Sequence, residues 1–350
     1  MDIYLLDENL QAIDLIDYSQ SVIWHTLYCG AGDFDISIPA STELFSKVRE
    51  GCFFYRKDDP TLMIVEKIEL QTNEESGDLL IITGGSAEKI IGRRIVWTQT
   101  ILNGRVCECT RRILTENLID PVDPARKIGI VKMGECVVAA ETMQKQITGD
   151  NLLDATVEIL STYGLGFRLQ GEIERLGGTL YFRIIRGTDR SKGNAEGNPV
   201  VKFSKDFDNL IASDYVSDYT EYKNVCLVAG EGEGTARRRR EVGVVSGLSR
   251  REMYYDNNGL SSNEGEIGED DYNNMLDEAG KEQLAETKVT QTFSGEIDQL
   301  GAYKYGEDFF LGDIVTIENE YGISANVRIT GVTENKDENG HNVVLSYTNI

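Results

Sequence analysis

The chain reads as an α+β fold, mainly β, in which β-rich regions at residues 1–100 and 199–350 flank a small α/β region at 101–198. Three observations carry this reading. Short runs near both ends alternate apolar and polar residues with the period of a half-buried strand. Thirty-five glycines against five prolines suit many tight turns. Helical spacing of apolar residues is confined to two long stretches, 150–163 and 269–288.

In chain order, GDFDISIP (32–39) places Phe34, Ile36 and Ile38 on one face and Asp33, Asp35 and Ser37 on the other. CFFYRKDDPTLMIVEKIEL (52–70) is a hairpin about a Lys-Asp-Asp-Pro turn, and DLLIIT (78–83) follows a Glu-Glu-Ser-Gly turn. SAEKIIGRRIV (86–96) makes one or two helical turns before a strand. Strands this short and closely spaced suggest a small barrel or sandwich. Residues 100–150 show little periodicity. GDNLLDATVEILSTYG (149–164) is a helix, with Asp150 or Asn151 as N-cap and Gly164 at its C-terminal end. Its face carries Leu152, Leu153, Thr156, Val157 and Leu160. GFRLQ (166–170) and TLYFRIIRG (179–187) complete a small sheet beneath it.

From residue 200 the β character returns in VVKFS, EYKNVCLVAG and REVGVVSGLSRREMYYD. The helix at 269–288 opens with acids, which suits its dipole, and faces inward with Tyr272, Met275, Leu276 and Ala279. Strands at 289–297, 312–335 and 341–347 close the chain.

The 59 acidic residues against 35 Lys and Arg leave a formal charge of −24. Such a balance disfavours generic nucleic-acid binding, which is built from basic residues neutralising phosphates, and disfavours anionic membrane surfaces. The N-terminus lacks a signal peptide's basic and apolar segments, and no run approaches a membrane span. The expectation is a soluble chain made in the cytoplasm, with no membrane insertion. Its six scattered cysteines are expected to be reduced thiols.

Motifs for chemistry are sparse. His25 and His341 lie in opposite end regions, and neither G-x-S-x-G nor H-E-x-x-H occurs. EGEIGEDDY (264–272) lacks the spacing of a calcium loop. AGEGEGTARRRREV (229–242) sets glycines 230, 232 and 234 before four arginines, yet a strand follows rather than a helix. No Gly-Lys-Ser/Thr is present, and Glu231 and Glu233 oppose phosphate. The stretch reads as a glycine-tipped β-hairpin with Arg237, Arg238, Arg239 and Arg240 alternating along the returning strand. At least two of these arginines are expected to bridge subunits or meet a neighbouring protein. No catalytic residue, cofactor or metal is expected.

Ten segments in order, among them GDFDISIP, IIGRRIV (90–96), GDNLLDATVEILSTYGLGFRL (149–169), NVCLVAGEGEGTARRRREV (224–242), SGLSRREMYYD (246–256) and VRITGVTE (327–334), give a further reading. The sequence resembles siphovirus-type tail proteins of phages and prophages related to the baseplate hub proteins of contractile tails. The resemblance implies a structural, non-enzymatic virion component, assembled in the host cytoplasm. It implies a homotrimer with two barrel-like domains per chain, hence a pseudo-sixfold ring joining a sixfold tube to a threefold tip. Its partners would be tail tube or distal tail proteins, the tape-measure protein, and tip, spike or other baseplate proteins. With the β, α/β, β order of segments, the two β-rich regions are expected to fold as separate barrel-like domains, the second discontinuous around the α/β element or the helix at 269–288. The negative charge either keeps a lumen from gripping DNA or serves solubility; both uses stand open. The competing classes are a tail-tip cell-wall hydrolase, which the missing motifs disfavour, and a carbohydrate-binding adsorption module. The latter would need exposed aromatics, and Trp24 and Trp97 are the two tryptophans available.

Overall fold

The computed structural model describes residues 2–72, 77–174, 177–297, 302–338 and 340–350. The predicted turns at 74–77 and 337–340 fall partly outside them.

The first region contains β1 (Ile3–Leu6), β2 (Ala12–Ile16), β3 (Ser21–Leu27), β4 (Asp33–Pro39), helix α1 (Thr42–Lys47), β5 (Phe53–Arg56), β6 (Asp59–Gln71) and β7 (Leu79–Ser86). The predicted faces of β4 hold, with Phe34, Ile36 and Ile38 buried. A 3-10 turn, Ala87–Arg93, leads into the middle of the chain. There β8 (Thr100–Arg105), α2 (Val106–Leu114), β9 (Val131–Met133), β10 (Thr142–Ile147), α3 (Leu152–Thr162), β11 (Gly166–Glu174) and β12 (Gly177–Ile185) follow. Asn151 caps α3 by accepting from the Leu153 amide at 2.9 Å, and Gly164 takes φ +64° at its end.

The last region holds β13 (Lys202–Ser204), β14 (Leu210–Asp218), β15 (Val225–Ala229), β16 (Arg239–Val242), β17 (Glu252–Asp256), α4 (Glu269–Glu286), β18 (Thr290–Ile297), β19 (Ile314–Glu318), β20 (Ser324–Asp337) and β21 (Gly340–Asn349).

The mainly β character is as expected, but the barrel-like form of the two regions is not borne out: among the described residues no sheet closes on itself. One branched sheet instead runs β14-β18-β21-β20-β3-β4-β7-β6-β11-β12-β9. Strands from both ends of the chain meet where β20 pairs antiparallel with β3, from Gly331 opposite Leu27 to Lys336 opposite Val22. The reason lies in strand length. β20 has 14 residues and a bulge between Ile329 and Gly331, so its first half pairs with β19 and its second with β3. Alternation in sequence specifies faces, whereas such edge pairing is set in three dimensions.

The apolar cores stay distinct across this seam. Trp24, Phe34 and Phe54 centre one, with Phe34 and Phe54 edge to face at 5.5 Å. Phe203, Phe309 and Tyr347 centre another, with Phe203 and Phe309 edge to face at 5.2 Å. A third joins α2, α3, β11 and β12 through Ile113, Leu114, Ile159, Phe167 and Phe182, and also takes in Leu6, Phe53 and Leu62. At about 1.5–3 kcal/mol per fully buried large apolar side chain, these cores dominate the fold's stability.

The fourth core is small. β16, β15 and β17 form a separate three-stranded sheet, with β17 parallel to β15, and α4 lies over it. Cys226 and Val228 meet Tyr272, Met275 and Leu276 there. Gly280 lets the helix approach: a Cβ would sit 2.5 Å from Val242 and 2.8 Å from Val228. Alanine in a helix interior gains about 1 kcal/mol over glycine, but overpacking costs about 1–3. Gly280→Ala is therefore expected to lower the melting temperature; a raised one would show that the sheet yields easily.

Candidate interaction site

The small sheet carries the glycine hairpin. β15 and β16 pair antiparallel from Cys226 opposite Val242 to Ala229 opposite Arg239. The predicted hairpin is present, but its returning strand begins at Arg239, so Arg237 and Arg238 lie in the loop. The Gly230 amide donates to the Arg238 carbonyl at 2.9 Å, and the Arg238 amide donates to the Glu231 carbonyl at 3.0 Å. Gly232 takes φ +99°, which favours glycine, and the Tyr272 hydroxyl accepts from the Glu231 amide at 2.8 Å. The Glu231 carboxylate in turn accepts from the Ser262 amide at 2.9 Å. The amides of Gly230, Glu231, Ala236 and Arg238 are thus spent on the chain itself, as suits an architectural hairpin.

The four arginines have different fates. Arg237 donates to the carbonyl of Gly230 at 2.8 Å, to the Tyr254 hydroxyl at 3.0 Å and to Asn258 at 2.6 Å, and it pairs with Asp256. That hydrogen-bonded pairing holds the Asp256 carboxyl below its ordinary range. Arg238 lies over the Tyr272 ring at 4.7 Å and faces Glu231 at 3.6 Å. Arg240 forks onto Asp277 of α4 at 2.8 and 2.7 Å. Arg239 is exposed and reaches only the Gly234 carbonyl, at 3.3 Å, among the described residues.

Arg237 therefore ties the hairpin to β17, while Arg240 ties it to the helix. Arg237→Ala strips two carbonyls and a carboxylate of their donor and should cost more stability than Arg240→Ala. Arg240→Ala removes a partly exposed pair and should cost under about 1 kcal/mol. Chemical denaturation of the two variants checks the order, and equal losses would contradict it.

A buried charge cluster fastens this unit to the α/β part. Lys145 of β10 lies 2.7 Å from Glu158 of α3 and 2.7 Å from Glu282 of α4. Burial, set against Lys145 and reinforced by Glu158, pushes the Glu282 carboxyl up to about 7. Burial also works against the Lys145 ammonium, but the two carboxylates outweigh it and raise its pKa. Beside the cluster, the Tyr163 hydroxyl donates to Glu278 at 2.8 Å. Sequence reasoning missed this cluster, because each member sits in a run that reads as polar surface.

The remaining predicted candidates are dispersed. His25 pairs with Asp33 across two strands at 2.6 Å, and His341 meets Glu334 at 3.1 Å. None of the six cysteines is bonded to another, and burial pushes the Cys29 thiol up to about 12. Among the described residues, no three of His, Cys, Asp or Glu stand together in a way that could hold a metal ion, and no helix is long and apolar enough to cross a membrane. Trp24 is buried, whereas Trp97 is 66% exposed.

The family model described as Siphovirus ReqiPepy6 Gp37-like protein matches residues 2–346. The chain belongs to this family. The family is one of siphovirus tail proteins, as the ordered segments implied. The Gp37-like chain is similar in fold to a tail protein from Neisseria meningitidis MC58, with TM-score 0.61 and 13% identity over 99% of this chain and 95% of that one. It is also similar to the 43 kDa tail protein of prophage MuSo2 from Shewanella oneidensis, with TM-score 0.58 and 12% identity over 100% and 98%. Prophage tail protein gp18 from Listeria monocytogenes EGD-e gives TM-score 0.56 and 12% identity over 99% and 94%. No curated protein matches the sequence. By family the Gp37-like chain is a phage or prophage tail protein, and by family a component of the virion tail.

Proposed function

We propose that this Gp37-like chain forms the hub ring joining the tail tube to the tip, as a homotrimer through which tape-measure protein and DNA pass. The observation that carries the reading is the β3–β20 seam, which sets two antiparallel β lobes side by side in each chain, each with its own apolar core. Each lobe is taken as barrel-like, so three copies would offer six similar lobes to a sixfold tube. The domain division at 1–100, 101–198 and 199–350 belongs to the same proposal. A formal charge of −24 suits a passage that must not hold phosphate. Tube or distal tail proteins, the tape-measure protein and tip or spike proteins would be its neighbours, with no cofactor and no specific nucleic-acid or membrane binding.

The role is structural, without catalysis; clearing on a peptidoglycan zymogram would overturn that part. Of the four hairpin arginines, Arg239 is the one best placed to meet another chain, since Arg237 and Arg240 have strong partners at home. The ring itself is tested by the mass of the purified protein. A species three times the 39.0 kDa chain supports it, and a monomer at every concentration contradicts it.

A further inference from the structure

One basic surface stands apart on this acidic chain. Arg93 and Arg94, where the 3-10 turn ends, meet Arg126 of the 3-10 turn at Pro124–Arg126, and all three line a recess with Trp97 and one acid, Asp123, whose carboxylate accepts from the Ala125 amide. Arg126 stacks on the indole at 5.0 Å and donates to the Ile95 carbonyl at 2.7 Å and to Asn117 Oδ1 at 3.3 Å. Arg94 donates to the Arg126 carbonyl at 2.6 Å and to the Arg93 carbonyl at 2.9 Å. These neutral acceptors fix two guanidinium groups in place without cancelling their charge. Among the described residues, none of the three arginines has a carboxylate within ion-pair distance, and the exposed Arg93 guanidinium has no hydrogen-bond partner. Elsewhere Arg186, Arg190, Arg237 and Arg240 each hold a carboxylate. Clustering like charges while 59 acids stand available is unfavourable for an isolated chain. A rigid arginine cluster around an exposed tryptophan is the composition of a protein-binding hot spot.

The complement lies on the same chain. Residues 264–271 carry five acids, Glu264, Glu266, Glu269, Asp270 and Asp271, at and before the start of α4. All five are exposed, Asp271 accepts from the Gln144 amide group at 3.1 Å, and among the described residues no Lys or Arg pairs with any of them. Two unlike patches on one molecule make a head-to-tail contact, which generates a ring when its rotation closes. Chains of formal charge −24 repel one another, so a contact between copies needs such a local inversion of sign.

We propose that the Arg93–Arg94–Trp97–Arg126 surface receives the acidic run 264–271 of a second copy of this chain. This rests on the oligomeric ring proposed above and names its contact.

Charge reversal on each side, read by sedimentation velocity on the full chain, tests it. Arg93→Glu touches no folded partner, and circular dichroism confirms that each variant is folded. Arg93→Glu/Trp97→Ala and Glu269→Arg/Asp270→Arg should each weaken association by at least about tenfold. Arg93→Glu joined with Glu269→Arg/Asp270→Arg in one chain should recover part of it. If the parent assembles and the Arg93→Glu/Trp97→Ala variant assembles equally well, this contact is wrong while the ring reading survives. If the combined variant is no better than the separate ones, the pairing of these two surfaces is wrong. A parent that stays monomeric up to about 100 µM overturns both.

Discussion

Lys145→Met will lower stability by about 3–5 kcal/mol at pH 8, because it leaves the buried Glu282 carboxylate facing the part-exposed Glu158 with no cation between them. Glu158 and Glu282 both approach Lys145 at 2.7 Å, and the lysine and Glu282 are nearly inaccessible. The loss will depend on pH in a definite direction. In the parent, the Glu282 carboxyl is raised from its ordinary 4.5 to about 7, so folding takes up a proton between those values. The contribution is fully present below about pH 4.5 and is lost as pH rises through 7. Without the lysine's attraction the carboxyl rises further, so the deficit of the variant must be larger at pH 8 than at pH 5. Urea denaturation at the two pH values measures this, and a small deficit that does not change with pH would contradict it. Because β10, α3 and α4 meet at the cluster, the α4 unit should loosen first, seen as early hydrogen exchange in β15 to β17.

The second large effect is expected at the seam. Arg56 is 2% exposed and donates to Glu334 of β20 at 3.0 and 3.1 Å while also pairing with Asp58 at 2.7 Å. Its guanidinium lies over Trp24 at 5.3 Å, and Trp24 donates its indole N–H to Asp59 at 2.9 Å. Burial opposes the charge, but the two carboxylates more than offset it and raise the Arg56 pKa. Arg56→Met should cost about 3–5 kcal/mol by stranding the Glu334 carboxylate, whose remaining partner is His341 at 3.1 Å. Adding Glu334→Gln should return part of that loss, since the stranded charge rather than the missing pair carries the cost. Thermal denaturation of the single and double variants reads this directly; additive losses would contradict it.

Much of the local structure was legible. The alternation in 32–39 foretold the buried face of β4, and Asn151 was one of two residues expected to cap α3. The glycines at 230, 232 and 234 foretold a turn rather than a phosphate cradle. Long-range pairing was not legible. Nothing in residues 22–27 or 331–336 marks them as partners, because a strand's alternation fixes its face and not its neighbour. Helix α2 escaped notice since its buried side mixes Cys107, Cys109 and Thr110 with Val106, Ile113 and Leu114, beside Arg111 and Arg112. Strand β14 escaped for a similar reason, with Asp214, Ser217 and Asp218 diluting its apolar run.

The candidate site was half legible. Four consecutive arginines announced themselves, but their partners Asp256 and Asp277 lie 19 and 37 residues away from Arg237 and Arg240, on other elements. The more isolated arginines proved to be elsewhere, in IIGRRIV, where the expected helical turn is a 3-10 turn ending at the exposed Arg93 and the next strand begins only at Thr100. Trp97 likewise looked like a strand residue and stands exposed.

The central claim is the position of this chain in the tail. Electron cryomicroscopy of intact tails carrying it should place one ring of three copies at the junction of tube and tip, with six similar β lobes facing the last tube ring. Copies repeated along the length of the tube, or a tail whose tube–tip junction lacks the chain, would contradict the claim.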